Sequence, residues 1–189
     1  MVMHAANGAS AYAVAVVTGG SRGMGRELAR RLAHRHYAVV VVYLRDQGEA
    51  EAAVEEILAA NGTALAVRAD LTDEVDVERL FNETAAAFGG VDVVVHAGMR
   101  GNSVVTRQAA SHLRRGGAIV SVCGAETIAS GLADELRARD ITVNGAVAGL
   151  APPGADHDVG ELIKFLDLWR AGPVSSRQGM DPGLHGRDE

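Results

Sequence analysis

The chain has 189 residues, 48% of them hydrophobic and 22% charged, which suits one globular domain with a sizeable core. Its net charge of −6, with both signs interspersed, provides no basic surface for nucleic acid, and a single cysteine, Cys123, excludes an internal disulfide. The longest apolar run, Ala38–Leu44, is far too short to cross a bilayer, so neither a membrane nor nucleic acid is expected as a partner and cytoplasmic localisation is the default.

Residues 1–10 lack a basic start followed by a long apolar stretch and read as a flexible leader rather than a signal peptide. Strand-length apolar runs then alternate with helix-length amphipathic ones, the pattern of βαβ units and a parallel sheet. Tyr12–Val17 is the first predicted strand. Met24–His34 places Leu28, Ala29 and Leu32 on one face and arginines on another, which predicts a helix. Ala38–Tyr43 is a β-branched run, as expected for a strand buried on both faces.

Glu49–Ala60 reads as a second helix stopped at Asn61-Gly62, and Thr63–Arg68 as a third strand. Thr72 or Asp73 caps a helix carrying Val77, Leu80 and Phe81 that ends at Gly89-Gly90. Val91–His96 is a fourth strand, Val104–Leu113 a short helix, and Ala118–Val122 a fifth strand. Leu132–Arg139 is helical, Ile141–Val147 a sixth strand, Val159–Leu168 a last helix and Val174–Met180 a weak final strand. The expected fold is a single Rossmann-like, doubly wound α/β domain over residues 11–183. It has a parallel sheet of about six or seven strands with helices on both faces, and residues 184–189 form a tail.

Between the first strand and the first helix stands Thr18-Gly19-Gly20-Ser21-Arg22-Gly23-Met24-Gly25. Glycines there let the chain turn sharply and let a phosphate approach the main chain, while the helix N-terminus offers free N–H groups and a positive dipole end. Three glycines alone would say little; between a strand and a helix at the start of a βαβ unit they point to a dinucleotide. An acidic residue closing the second strand would select NAD through its ribose hydroxyl. This strand closes Tyr43-Leu44-Arg45, and with Arg22 in the loop the charges favour the 2′-phosphate of NADP over NAD, although Asp46 opposes that choice.

The spacing Thr-Gly-x-x-x-Gly-x-Gly resembles that of the short-chain dehydrogenase/reductase family, and further motifs follow in order. Ala69-Asp70-Leu71-Thr72 is similar to the family's acidic motif after the third strand, and His96-Ala97-Gly98 to its Asn-Asn-Ala-Gly turn with the asparagines lost. Gly116-Gly117-Ala118-Ile119-Val120 resembles the fifth strand, and Ile141-Thr142-Val143-Asn144 the sixth. The resemblance implies a dinucleotide held by Gly19, Ser21, Arg22, Gly23, Met24 and Gly25, by Tyr43 and Arg45, by Asp70 and Leu71 near the adenine, and by His96, Ala97 and Gly98. It also implies assembly through the fourth and fifth helices; both are short here, which points to a homodimer rather than a tetramer.

The family's hydride transfer uses a Tyr-x-x-x-Lys pair with a serine and an asparagine. Here the tyrosines are Tyr12, Tyr37 and Tyr43, the one lysine is Lys164, and Gly160 stands four residues before it, so the pair is missing. Gly124 stands at the serine position, and Gly98 or Met99 near the asparagine. Shortenings at 98–104, 124–132 and 150–158 fall after the fourth, fifth and sixth strands, all at the carboxyl edge where such sheets bind ligands. Cofactor binding is therefore expected to be weakened at the nicotinamide end and carried by the adenosine half.

Other chemistry-bearing residues have plainer readings beside them. His96 and Cys123 close neighbouring strands and would make a nucleophile pair, or else a turn residue and a small core side chain. Glu126 and Thr127 suit acid–base chemistry, or simply a helix N-terminus. Asp156-His157-Asp158 has metal-ligand types at adjacent positions, which point different ways, so no metal is expected. Three functions follow: a dinucleotide-binding protein without hydride transfer; an enzyme turned to cyclisation, isomerisation or dehydration of a small molecule; or an NADP-dependent ketoreductase with replacement residues.

Overall fold

The computed structural model describes residues 12–98, 102–122 and 130–145, together with Ile163, Lys164 and Leu166. Six parallel strands form one sheet in the order β3-β2-β1-β4-β5-β6. They are β1 (Val14–Thr18), β2 (Ala38–Tyr43), β3 (Thr63–Arg68), β4 (Val91–His96), β5 (Leu113–Ser121) and β6 (Thr142–Gly145). Between them run α1 (Gly23–His34), α2 (Gln47–Ala59), α3 (Glu74–Phe88), α4 (Asn102–His112) and α5 (Ser130–Ala138). The doubly wound α/β class read from the sequence is the fold.

The strands are β-branched and apolar because both faces of the sheet are covered. Alternate residues feed two cores. Ala15, Val17, Val39, Val41, Val93 and Val95 pack with Leu28 and Leu32 of α1 and Ala53 and Ile57 of α2. Val16, Val40 and Val94 pack on the other face with Leu80 and Phe81 of α3, Val105 of α4 and Leu136 of α5. Ile163 and Leu166, within the helix expected at 159–168, are helical and buried in the first core.

Several boundaries move from the sequence expectations. β1 starts at Val14 and includes Thr18, leaving Tyr12 exposed ahead of it. α3 is capped by Asp73, whose carboxylate accepts from the N–H groups of Val75 and Asp76, and it closes at Gly89 with a left-handed φ of 80°. β5 begins five residues earlier than expected, at Leu113. α4 runs for 11 residues from Asn102, starting two residues ahead of the expected Val104. The expected strand at 174–180 lies outside the described residues.

The strand order reverses between β1 and β4, both of which leave the sheet from the same edge. Chains leaving β1 and β4 there run in opposite directions and open a crevice at their carboxyl ends. The glycine loop after β1 and the turn after β4 lie at that crevice.

Candidate functional site

The glycine loop is built by close backbone approach. Gly19 has φ +67°, and a Cβ on it would lie 3.3 Å from the Gly98 nitrogen, so the loop rests on the turn after β4. A Cβ on Gly25 would lie 2.1 Å from the Gly19 carbonyl oxygen, so only glycine lets α1 start this close to the turn. Arg22 is the N-cap of α1 in extended conformation, and its side chain makes no capping hydrogen bond. No acidic residue stands in the first turn. The N-terminus thus presents its N–H groups and dipole with neither a side-chain cap nor a first-turn acid to answer them.

Beside it opens a cleft of about 400 Å³. Gly19, Ser21 and Arg22 form one wall, Tyr43 and Arg45 at the end of β2 another, Asp70 and Leu71 after β3 a third, and Gly98 closes it. These eight are among the residues expected from the sequence. Val42, Leu44, Ala69 and Thr72 line it as well, as the chain neighbours of those residues. Asp46, weighed in the sequence only as a charge, is a lining residue too.

Polar contacts fix the cleft's far end. The Asp70 carboxylate accepts from the Thr72 hydroxyl at 2.7 Å and the Thr72 N–H at 3.0 Å. Those bonds, the hydroxyl first, hold the Asp70 carboxyl below its ordinary range. The Asp70 N–H donates to Asp76 at 2.9 Å, and Arg68 Nε donates to the Leu44 carbonyl at 3.2 Å, joining the ends of β3 and β2. Arg22 pairs with Asp46 across the cleft mouth. Arg45 is exposed and has no ion-pair partner among the described residues.

The other expected cofactor residues do not line this cleft. Gly23, Met24 and Gly25 lie within α1, and Gly25 acts through packing. Ala97 contacts the loop from behind, its carbonyl carbon 3.5 Å from where a Gly19 Cβ would be, and its N–H donates to the Thr18 carbonyl at 3.2 Å. His96 is fully buried. It stands in register with Thr18 of β1 and Ser121 of β5, which places the three side chains on one face of the sheet. Its Nε2 lies 3.1 Å from Thr106 Oγ1 of α4, and its Nδ1 has no hydrogen-bond partner among the described residues. Burial lowers its pKa from 6.5 to about 4, so the imidazole is neutral near pH 7. The expectation that His96 touches the cofactor or acts as a base meets a side chain turned into the α4 packing layer.

Cys123, Glu126 and Thr127 lie outside the described residues, as does Asp156-His157-Asp158. Among the described residues no cluster of three His, Cys, Asp or Glu side chains is placed to hold a metal ion, and no helix is long and apolar enough to cross a membrane. The tyrosines take three separate places. Tyr12 is exposed before β1 and Tyr37 is buried at the entry to β2, both at amino ends of strands, while Tyr43 at the end of β2 lines the cleft. Lys164 is exposed.

A parallel doubly wound sheet with a glycine turn, an uncapped helix N-terminus and a cleft at its switch point defines a Rossmann-type nucleotide site. Residues 13–119 match the family profile of the short chain dehydrogenases. The chain is 31% identical to an uncharacterized oxidoreductase of Methylorubrum extorquens, over 78% of this chain and 76% of that one. It therefore belongs to the short-chain dehydrogenase family. It is 39% identical to a 3-oxoacyl-[acyl-carrier-protein] reductase of Staphylococcus aureus, over 49% of this chain and 38% of the reductase, so it spans well under half of that relative. A short chain dehydrogenase from Burkholderia cenocepacia, solved in complex with NADP, superposes with a TM-score of 0.65 at 27% identity, covering 84% of this chain and 91% of that one.

Proposed function

We propose that this chain binds a nicotinamide dinucleotide, NADP(H) in preference to NAD(H), chiefly through its adenosine-phosphate half, and does not carry out the family's usual hydride transfer. The observation behind the binding is the union of an uncapped α1 N-terminus with a glycine cradle that a Cβ would fill. Both fit a pyrophosphate brought against the main chain. In this reading the α1 N–H groups and Ser21 hold the pyrophosphate, Arg45 and Arg22 meet the 2′-phosphate, and Asp70 and Leu71 border the adenine. The Arg45 guanidinium supports NADP, since it has no carboxylate partner among the described residues.

A bound nicotinamide would supply hydride chemistry, but the sequence has no Tyr-x-x-x-Lys pair to supply the proton, and among the described residues no tyrosine or lysine takes that place. Tyr12 and Tyr37 stand at the opposite edge of the sheet, Tyr43 lies at the adenosine end, and Lys164 is the chain's one lysine. A positioned acid–base group contributes a factor of about 10²–10⁴ in rate. Without one, the site suits a binding role, or a cyclisation, isomerisation or dehydration in which the cofactor is not consumed. A ketoreductase using replacement residues is the second reading, favoured by the similarity to a 3-oxoacyl reductase.

The test is to follow the absorbance of NADPH with the purified protein and a panel of small β-keto esters, diketones and quinones. NADPH fluorescence in the same samples reports binding. The expected outcome is a changed fluorescence with no consumption above buffer. Consumption that scales with protein concentration would establish the ketoreductase reading instead.

A further inference from the structure

Asp46 occupies the N-cap of α2 and is one of the residue types best suited to that place. An N-cap aspartate ordinarily accepts a hydrogen bond from the second or third helical N–H, here Gly48 or Glu49. Its side chain makes no such bond. The carboxylate instead reaches across the cleft mouth to the Arg22 guanidinium, which stands at the N-cap of α1. One carboxylate thus leaves its own helix N-terminus uncapped and occupies a cation beside another.

Both partners are substantially exposed, with side chains 66% and 45% accessible. Such a pair is weak and exchangeable. A phosphate monoester carries about −1.5 to −2 charges near pH 7 with three acceptor oxygens, and it outcompetes a monoanionic carboxylate for a guanidinium. Arg45, on the same rim and without an ion-pair partner among the described residues, adds a second cation for that ligand. A displaced Asp46 has a favourable place to go, because the α2 N-terminus attracts negative charge and offers the unused N–H groups.

Resting on the dinucleotide reading above, we infer that Asp46 is a two-position carboxylate that sets cofactor preference. It pairs with Arg22 when no 2′-phosphate is present and swings onto the α2 N-terminus when a 2′-phosphate takes Arg22. With a free 2′-hydroxyl the carboxylate keeps its place on Arg22. The residue therefore lowers NADP(H) affinity by competition and by repulsion, and it reports 2′-phosphate occupancy to α2.

Two measurements on the full chain test this. Calorimetry compares NADPH and NADH binding to the wild type and to Asp46→Asn, which keeps a capping side chain and loses the charge. Asp46→Asn should lower the Kd for NADPH by about tenfold while moving that for NADH by less than about threefold. An unchanged ratio, or one moved toward NADH, overturns the role of Asp46 while leaving the dinucleotide reading intact. Absence of binding by either protein to either cofactor overturns the dinucleotide reading and this inference with it.

Amide hydrogen exchange supplies the second readout. Saturating NADPH should slow exchange at Gly48 and Glu49 in the wild type, and NADH should not. In Asp46→Ala the NADPH effect should vanish. If it persists there, the phosphate itself protects the helix end and the swing is refuted.

Discussion

Acidification from about pH 7.5 to about pH 5 should destabilise the fold through His96. The imidazole is fully buried among Thr18, Ser121 and Thr106, and its pKa falls from 6.5 to about 4 through burial alone. The neutral form is the one the fold holds, so the unfolded chain takes up the proton first as the pH drops below 6.5. The His96 contribution is whole above that value, declines between about 6.5 and 4, and is fully lost once the native imidazole also protonates. At about pH 5 roughly one and a half units of linkage have accrued, which at about 1.4 kcal/mol per unit is about 2 kcal/mol. Urea unfolding at both pH values, on the wild type and on His96→Asn, isolates this from the titration of every other group. The wild type should lose about 2 kcal/mol more than the variant. Equal losses would refute the assignment of a buried, neutral His96.

Three further substitutions probe the framework of the site. Gly25→Ala puts a Cβ 2.1 Å from the Gly19 carbonyl oxygen; thermal unfolding should register a loss of about 1–3 kcal/mol, with NADPH binding weakened more than stability alone explains. Asp92→Ala removes the carboxylate that accepts from the Val14 N–H at 2.8 Å and from Arg114 at 2.7 Å. With a buried strand donor left unmet, a loss of about 2 kcal/mol is expected in urea unfolding, and a neutral result would show that water reaches β1. Asp73→Ala removes the α3 cap and should cost about 1 kcal/mol by the same assay, without changing NADPH affinity.

The fold was legible because the strands announce themselves: Val39–Val42 and Val93–Val95 are β-branched runs between glycine or polar breaks, and α1 and α3 carry helical apolar spacing. The start of β5 was not. Leu113-Arg114-Arg115-Gly116-Gly117 has no strand-like pattern, and it pairs because Arg114 reaches Asp92 and Gly117 lets the chain come close to the Asp92 carbonyl. Those are tertiary contacts with no local trace. The glycine loop, Tyr43, Arg45 and Asp70 were readable from position relative to strand ends, and Gly19, Ser21 and Arg22 of the loop line the cleft with Tyr43, Arg45 and Asp70.

The direction of the His96 side chain was not legible, because a strand residue's face depends on register. The polar residues at its level, Thr18 and Ser121, were a signal that the β4 terminus carries a buried polar row. Asp46 shows the reverse limit. Its place before α2 suggests a cap, and an arginine 24 positions earlier in the chain takes the carboxylate instead.

Calorimetric titration with ADP-ribose beside NADPH bears most directly on the proposal that the site binds through its adenosine-phosphate half without a Tyr-x-x-x-Lys pair. ADP-ribose lacks both the nicotinamide and the 2′-phosphate, so its affinity reports the glycine turn, the α1 N-terminus and the Asp70 border alone. The expected result is measurable binding of both ligands, with ADP-ribose weaker by no more than about tenfold, the share of the 2′-phosphate contacts. Silence with ADP-ribose while NADPH binds tightly would place the affinity outside the glycine turn, the α1 N-terminus and the Asp70 border and contradict it, as would silence with both.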